Sequence, residues 1–233
     1  LTEDLRPLLR NVRFVRGGQV LFQSTVFLGY VGLLTGVKEG AFSITVNTRF
    51  DNDHWSGLIA YLTGRDRRGR FLSFTTRDVM LQSSSYDEAL ATIKSAKLLG
   101  PAYVILAGTQ PGQGAVVARS STEVVNQTLL SDVAQLGQNS VVQTNWDVDS
   151  DPWYDNRRAP AEQCLRERFN QAIDFKGLFS VLVAHPNRNL LTTYTALMSA
   201  QTGELEAYLQ FCPEPNCAPW ATEANTLTTA VLI

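Results

Sequence analysis

Gln143-Thr144-Asn145-Trp146-Asp147, followed a short loop later by Asp155-Asn156-Arg157-Arg158, is the stretch that ties the polar chemistry of this chain to its architecture. Val141, Val142 and Thr144 are β-branched and favour an extended backbone, so a strand is expected over residues 140–145. Asn145 then falls at the strand end, where its side chain can face a cleft. An Asn amide offers two neutral N–H donors, which suit an oxygen that becomes negative only in a transition state. Arg157 brings a planar five-donor fork that matches a carbonyl or a carboxylate. A plainer alternative fits the same spacing: a strand-end Asn in an Asx turn beside a solvated Arg pair.

Outward from this stretch, apolar patterning marks further elements. Residues 12–27 alternate apolar and polar around Arg16-Gly17-Gly18, so a hairpin of strands over 11–15 and 19–27 is expected. Gly29, Gly32, Gly36 and Gly40 punctuate a loop that lacks the spacing of a phosphate-binding motif. Strands are expected over 42–46, 102–107, 115–119 and 123–130, the second of them a continuous apolar run buried on both faces. Helices are expected over 54–62 and 71–81. Ser85 and Glu88 stand as the two ends of a capping box that opens a helix reaching about Lys97. Helices over 160–169 and 175–183 and a hairpin of strands over 191–199 and 205–211 complete the chain. Strands and helices segregate in runs, which predicts an α+β protein with antiparallel sheets.

Composition narrows the function. The chain has 233 residues, 44% of them hydrophobic, and a net charge of −2, enough for one sizeable core. The absence of a basic block argues against nucleic acid as a partner. The longest apolar run, near residues 102–107, is too short to span a bilayer. A chain that opens on Leu1 and carries no signal peptide is expected to be a processed chain or a fragment.

Of the three cysteines, Cys212 and Cys217 bracket a proline-containing loop whose ends are held close, which suits a disulfide. Cys164 is left over, either for a partner on another chain or as a buried inert thiol. Asn126-Gln127-Thr128 is a glycosylation sequon, consistent with the secretory pathway. Metal binding is not expected: His54 and His185 are the only imidazoles, and Asp147, Asp149, Asp151 and Asp155 lack the Gly and Glu of a calcium loop, so they read as a solvated acidic loop.

The 143–147 stretch, the Arg157-Arg158-Ala159-Pro160-Ala161 run and the loop Gly29-Tyr30-Val31-Gly32-Leu33-Leu34-Thr35-Gly36 resemble the acid ceramidase family of N-terminal-nucleophile amide hydrolases. The likeness covers residues 1–220, taken as one amidase domain, and leaves 221–233 as a tail without a counterpart. It implies a four-layer αββα sandwich, incomplete at the N-terminus, with an open strand edge or gap beside Asn145. It also implies cleavage of the amide of ceramide without a cofactor. Within that likeness Asn145 is the oxyanion donor, Arg157 lies beside the cleft, and Phe27 and Tyr30 line the acyl path. Cys164 links to a small α-subunit of the same precursor, a saposin-type activator is a possible partner, and the compartment is the lysosome.

The family's nucleophile is an N-terminal Cys that Leu1 cannot replace, and Thr2 aligns with an inter-strand connection. Where the family often has Asn-Glu-Arg-Phe, this chain reads Asn47-Thr48-Arg49-Phe50. Two other outcomes therefore stand beside the ceramidase reading: an N-acylethanolamine-hydrolysing amidase, and an inactive relative with a lipid-binding or regulatory role. By itself the chain is expected to lack amidase activity and to be unstable or oligomeric.

Overall fold

The structure is a computed structural model and describes residues 2–51, 55–148, 150–168, 173–209 and 229–232. Among the described residues, ten strands form two sheets. The larger has the order β10-β1-β2-β3-β4-β5-β6-β7, built from β1 (Leu9–Arg16), β2 (Gln19–Phe27), β3 (Thr35–Lys38), β4 (Phe42–Thr48), β5 (Ala102–Ala107), β6 (Gly114–Arg119), β7 (Val124–Leu129) and β10 (Thr229–Leu232). All neighbours are antiparallel except β10, which runs parallel to β1. The smaller sheet is the hairpin β8 (Tyr194–Met198) and β9 (Leu205–Leu209).

The first hairpin forms where alternation predicts it. Gly17 and Gly18 both take positive φ (59° and 80°), the geometry of a two-residue turn whose twist matches the strands. The next loop hides a strand that glycine content obscured. Thr35–Lys38 pairs with both β2 and β4. Gly32 lies so close to the following helix layer that a Cβ there would meet Ser73 Oγ at 2.4 Å.

Four layers follow from which face each strand buries. On one side of the large sheet, Val12, Phe22, Ile44, Val104, Leu106 and Val117 pack against Val79, Met80, Ala89 and Ile93. Those last four come from α3 (Leu72–Gln82) and α4 (Tyr86–Ser95). On the other side, Leu9 and Phe27 pack against Tyr194, Ala207 and Leu209 of the small sheet. Beyond that hairpin lie α6 (Arg158–Arg168) and α7 (Phe175–Val183), joined through Ala161, Leu165 and Val181. Phe179 of α7 meets Tyr208 of β9 at 4.5 Å between ring centroids. The order is helix, sheet, sheet, helix: the αββα sandwich.

Short helices complete the chain: α1 (Thr2–Leu5), α2 (Ser56–Leu62) and α5 (Leu130–Ala134). None of the residues of α2 is buried, and His54, expected at its start, lies outside the described residues.

One expectation is corrected here. Residues 140–145 do not form a strand. Their carbonyls are taken by side chains instead of a ladder: Arg158 Nη1 donates to Val142 O (2.7 Å), and Asn47 Nδ2 donates to Gln143 O (3.2 Å). A buried carbonyl needs a partner, and here side-chain donors override β propensity. Within residues 221–233, Thr229–Leu232 adds a strand to the large sheet beside β1.

Candidate active site

Residues 141–148 and 150–157 run as irregular chain, and the segment starts on the inner face of the large sheet. Val141 packs on Tyr103, Ile105, Val116 and Ala118 of β5 and β6, which seats the segment. Arg–Asp pairs then hold what no regular structure holds. Arg158, 7% exposed, donates to Asp151 Oδ2 (2.6 Å), Thr144 Oγ1 (3.1 Å) and Trp146 O (2.7 Å) as well as to Val142 O. Arg49, at the end of β4, grips Asp147 through Nε (2.9 Å) and Nη2 (2.5 Å) and also pairs with Asp51. Tyr103 OH donates to the same Asp147 (2.5 Å). The Arg49 guanidinium, helped by Tyr103, keeps the Asp147 carboxyl below its ordinary value, while burial and that carboxylate raise the Tyr103 hydroxyl. The acidic loop read from sequence as solvated is therefore corrected for Asp147, Asp151 and Asp155: each is paired with an arginine. Asp149 lies outside the described residues.

Asn145 and Arg157 come together at this loop. Arg157 Nη2 donates to Asn145 Oδ1 at 2.8 Å, and Asn145 Nδ2 donates to the Thr48 carbonyl at 2.8 Å. The backbone of Thr48 thus serves the network at a position where the family pattern has a carboxylate side chain. Asp155 clamps Arg157 from behind, accepting from Nε (2.5 Å) and Nη2 (2.7 Å), and also accepts from Trp146 Nε1 (3.0 Å). The Arg157 hydrogen bonds hold the Asp155 carboxyl below its ordinary range. The two residues open onto a cleft of about 460 Å³ that is walled by Phe50, Trp146, Tyr154 and Leu191, with Asn189 and Thr192 completing it. Phe50 stacks obliquely on Trp146, 5.0 Å between centroids, and its N–H donates to Asn145 O (3.0 Å). Chemically, the site presents an oriented neutral amide donor beside a charge-balanced guanidinium, with an apolar wall for a chain.

The other expected site residues fall elsewhere. Phe27 and Tyr30 do not line this cleft. Phe27 packs edge-on against Tyr194 at 6.2 Å, and Tyr30 is exposed on the turn that its N–H closes onto Phe27 O. Cys164 is a free thiol, half-buried on α6 against the Ala161–Leu165–Val181 cluster. Asn126 is exposed on β7, the outer strand of the large sheet. Cys212 and Cys217 lie outside the described residues. Among the described residues no cluster of three His, Cys, Asp or Glu could hold a metal, and no helix is long and apolar enough to cross a membrane. One edge of β8 has no strand partner among the described residues, and the turn leading into it, at Asn189–Thr192, borders the Asn145 cleft.

Sequence reasoning quoted Arg49, Trp146 and Asp155 within motifs but gave them no role in the site, and it missed Tyr103. Trp146 and Asp155 carried a local signal, lying one residue from Asn145 and two from Arg157. Arg49 and Tyr103 reach Asp147 across 98 and 44 residues, so no local pattern announces them.

Comparison with known proteins gives a consistent picture. No family model matches the sequence. The chain is 40% identical over 222 residues to an acid ceramidase of Homo sapiens and 37% identical over 226 residues to one of Mus musculus, matching 94% of this chain in each case. It spans 55% of the length of those relatives. Among solved structures, a Caenorhabditis elegans ortholog of N-acylethanolamine-hydrolyzing acid amidase superposes with a TM-score of 0.72 at 30% identity, covering 84% of this chain and 82% of that one.

Proposed function

The chain belongs to the family of acid ceramidases and N-acylethanolamine-hydrolyzing acid amidases, N-terminal-nucleophile hydrolases, and from that premise we propose that it carries the oxyanion-binding half of an amidase site that cleaves ceramide to sphingosine and a fatty acid. The observation that carries the proposal is the Asn145 amide, fixed between Arg157 and the Thr48 carbonyl at the edge of an apolar-walled cleft. Amide hydrolysis needs a nucleophile, a proton acceptor and donors for the developing oxyanion. Asn145 supplies such a donor: one N–H of its amide is spent on Thr48, and the other is free to face a substrate carbonyl. Arg157 holds that amide in place, its own charge balanced by Asp155. By the resemblance, the nucleophile and its proton acceptor are the thiol and α-amine of the family's N-terminal Cys.

Phe50, Tyr154 and Leu191, all exposed at the cleft, give an acyl chain an apolar surface. The greater likeness to acid ceramidases favours ceramide over N-acylethanolamines as the substrate. Phe27 could contribute to an acyl path only through Tyr194, against which it packs. The remaining expectations belong to the same proposal. They are a lysosomal compartment, a glycan on the exposed Asn126, a Cys212–Cys217 bridge, a saposin-type activator, and a small α-subunit attached at Cys164 once that thiol is uncovered.

In the full-length, active protein, Asn145→Ala should lower turnover of ceramide by about 100-fold or more, because it removes one oxyanion donor. KM should stay nearly constant, because the donor acts in the transition state. Unchanged turnover would make Asn145 a structural residue, and faster turnover of an N-acylethanolamine than of ceramide would reassign the substrate.

A further inference from the structure

We infer that Asp155 is a positioning residue: by clamping Arg157 it decides which end of the Asn145 amide faces the cleft. The inference rests on the reading of Asn145 as an oxyanion donor. The geometry is a relay of five groups. Trp146 Nε1 and two nitrogens of Arg157 all donate to the Asp155 carboxylate at 2.5 to 3.0 Å. The same Arg157 Nη2 that reaches Asp155 Oδ2 also reaches Asn145 Oδ1 at 2.8 Å. Asn145 Nδ2 then finds the Thr48 carbonyl at 2.8 Å.

An Asn side chain can turn over, exchanging its oxygen and nitrogen at little steric cost. Turned over here, it would set NH2 against the guanidinium N–H and its oxygen against the Thr48 oxygen, two repulsions in place of two hydrogen bonds. The observed orientation therefore depends on both partners, and of the two Arg157 is the side chain that can move away. Arg157 has a long side chain with a choice of rotamers, and the cleft beside it is open. The charge-assisted, two-pronged pair with Asp155 is what removes that freedom. Both side chains are largely buried, 26% exposed for Arg157 and 16% for Asp155, so solvent screens the pair little. Asp155 also balances the guanidinium charge, so that the cleft presents a neutral donor and not a bare cation. Asn at position 155 would keep the size but lose the charge, and it would offer one acceptor oxygen to three donors.

The test is a double-mutant cycle in the full-length, active protein. Asp155→Asn should lower kcat on ceramide by about 10-fold or more and leave KM within about 2-fold, a split that reports an effect made in the transition state. Added to Asn145→Ala, Asp155→Asn should cost nothing further, because its effect passes through Asn145. Asp155→Glu, which keeps the carboxylate, should recover part of the loss. An equal loss in the wild-type and Asn145→Ala backgrounds would overturn the inference, since a general structural defect adds independently. No loss in the wild-type background would overturn it as well. A second readout does not need turnover: the side-chain amide resonances of Asn145 in 15N-labelled protein, identified by their loss in Asn145→Ala. They should move in Asp155→Asn, and in Asp155→Glu if the Asn variant does not fold. Unmoved resonances would refute the relay. If Asn145→Ala leaves turnover unchanged, the oxyanion reading alone fails, and the amide resonances still decide whether Asp155 sets the Asn145 orientation.

Discussion

Arg158 shows how much of the site rests on single residues. It is nearly buried, its partner Asp151 is 17% exposed, and three further acceptors at Val142, Thr144 and Trp146 converge on its guanidinium. Breaking a buried pair by removing one partner leaves an uncompensated charge, and costs about 3–5 kcal/mol. Here it also strands the Val142 carbonyl in a segment that has no ladder, while Trp146 O keeps the Gln143 amide at 2.9 Å. Arg158→Ala should therefore lower the urea midpoint by an amount equivalent to about 3 kcal/mol or more. A drop below about 1 kcal/mol, the value of an exposed pair, would mean that the 141–158 segment is held by packing alone. In sequence Arg158 looked like the second of a solvated pair. Asp151 lies seven residues before it and four acceptors surround it only because the loop folds back, a fact of tertiary structure.

At the scale of elements, α4 has one end written locally and the other written far away. Ser85 Oγ accepts from Glu88 N at 3.3 Å, as the capping box predicts. Glu88 reaches back one residue further than the motif implies, to the N–H and hydroxyl of Ser84, both at 2.8 Å. At the other end the helix stops at Ser95, and Arg119 of β6, 0% exposed, donates to the carbonyls of Lys94 and Ala96. These are orphan carbonyls of a helix terminus, satisfied from 25 and 23 residues away. Ser85→Ala should cost about 1 kcal/mol, the usual value of an N-cap. Arg119→Ala should cost more, about 3 kcal/mol, because it leaves both carbonyls unpaired and opens a cavity in the core. Thermal unfolding of the two variants orders them, and an equal loss would remove Arg119 from the role of a cap.

For the molecule as a whole, the Arg–Asp pairs set an acid tolerance. Asp147 and Asp155 both sit below their ordinary value of 3.8, chiefly through hydrogen bonds from Arg49 and Arg157. A carboxyl depressed in the folded state contributes stability that is fully present above its unfolded pKa and is lost as pH falls through the folded one. The window of loss thus lies below about 4, and the site loop keeps its ion pairs at about pH 5. Urea midpoints followed by tryptophan emission should differ little between about pH 7 and pH 5 and fall below about pH 4. Asp155→Asn should weaken the fall. A steady decline between pH 7 and pH 5 would show that these pairs do not govern the acid response. An amidase of an acidic compartment requires such a loop, so this measurement also bears on the proposed localisation.

Local pattern alone determined much of this protein. Alternation and a Gly-Gly turn specify the first hairpin, a six-residue apolar run specifies β5, and the capping box starts α4. Those signals are local because strand and helix periods are short. The family resemblance carried by the motifs around Asn145 and Arg157 picked out two side chains that the fold brings to 2.8 Å. Tertiary structure alone decided the rest. It made residues 140–145 irregular, because Arg158 and Asn47 satisfy their carbonyls from outside the segment. It turned a glycine-punctuated loop into the strand β3, because β2 and β4 flank it on both sides. It moved Phe27 and Tyr30 off the cleft and added Asp155, Trp146 and the Thr48 carbonyl to it. The physical reason is the same in each case: a buried polar group must find a partner, and the nearest one in space need not be near in the chain.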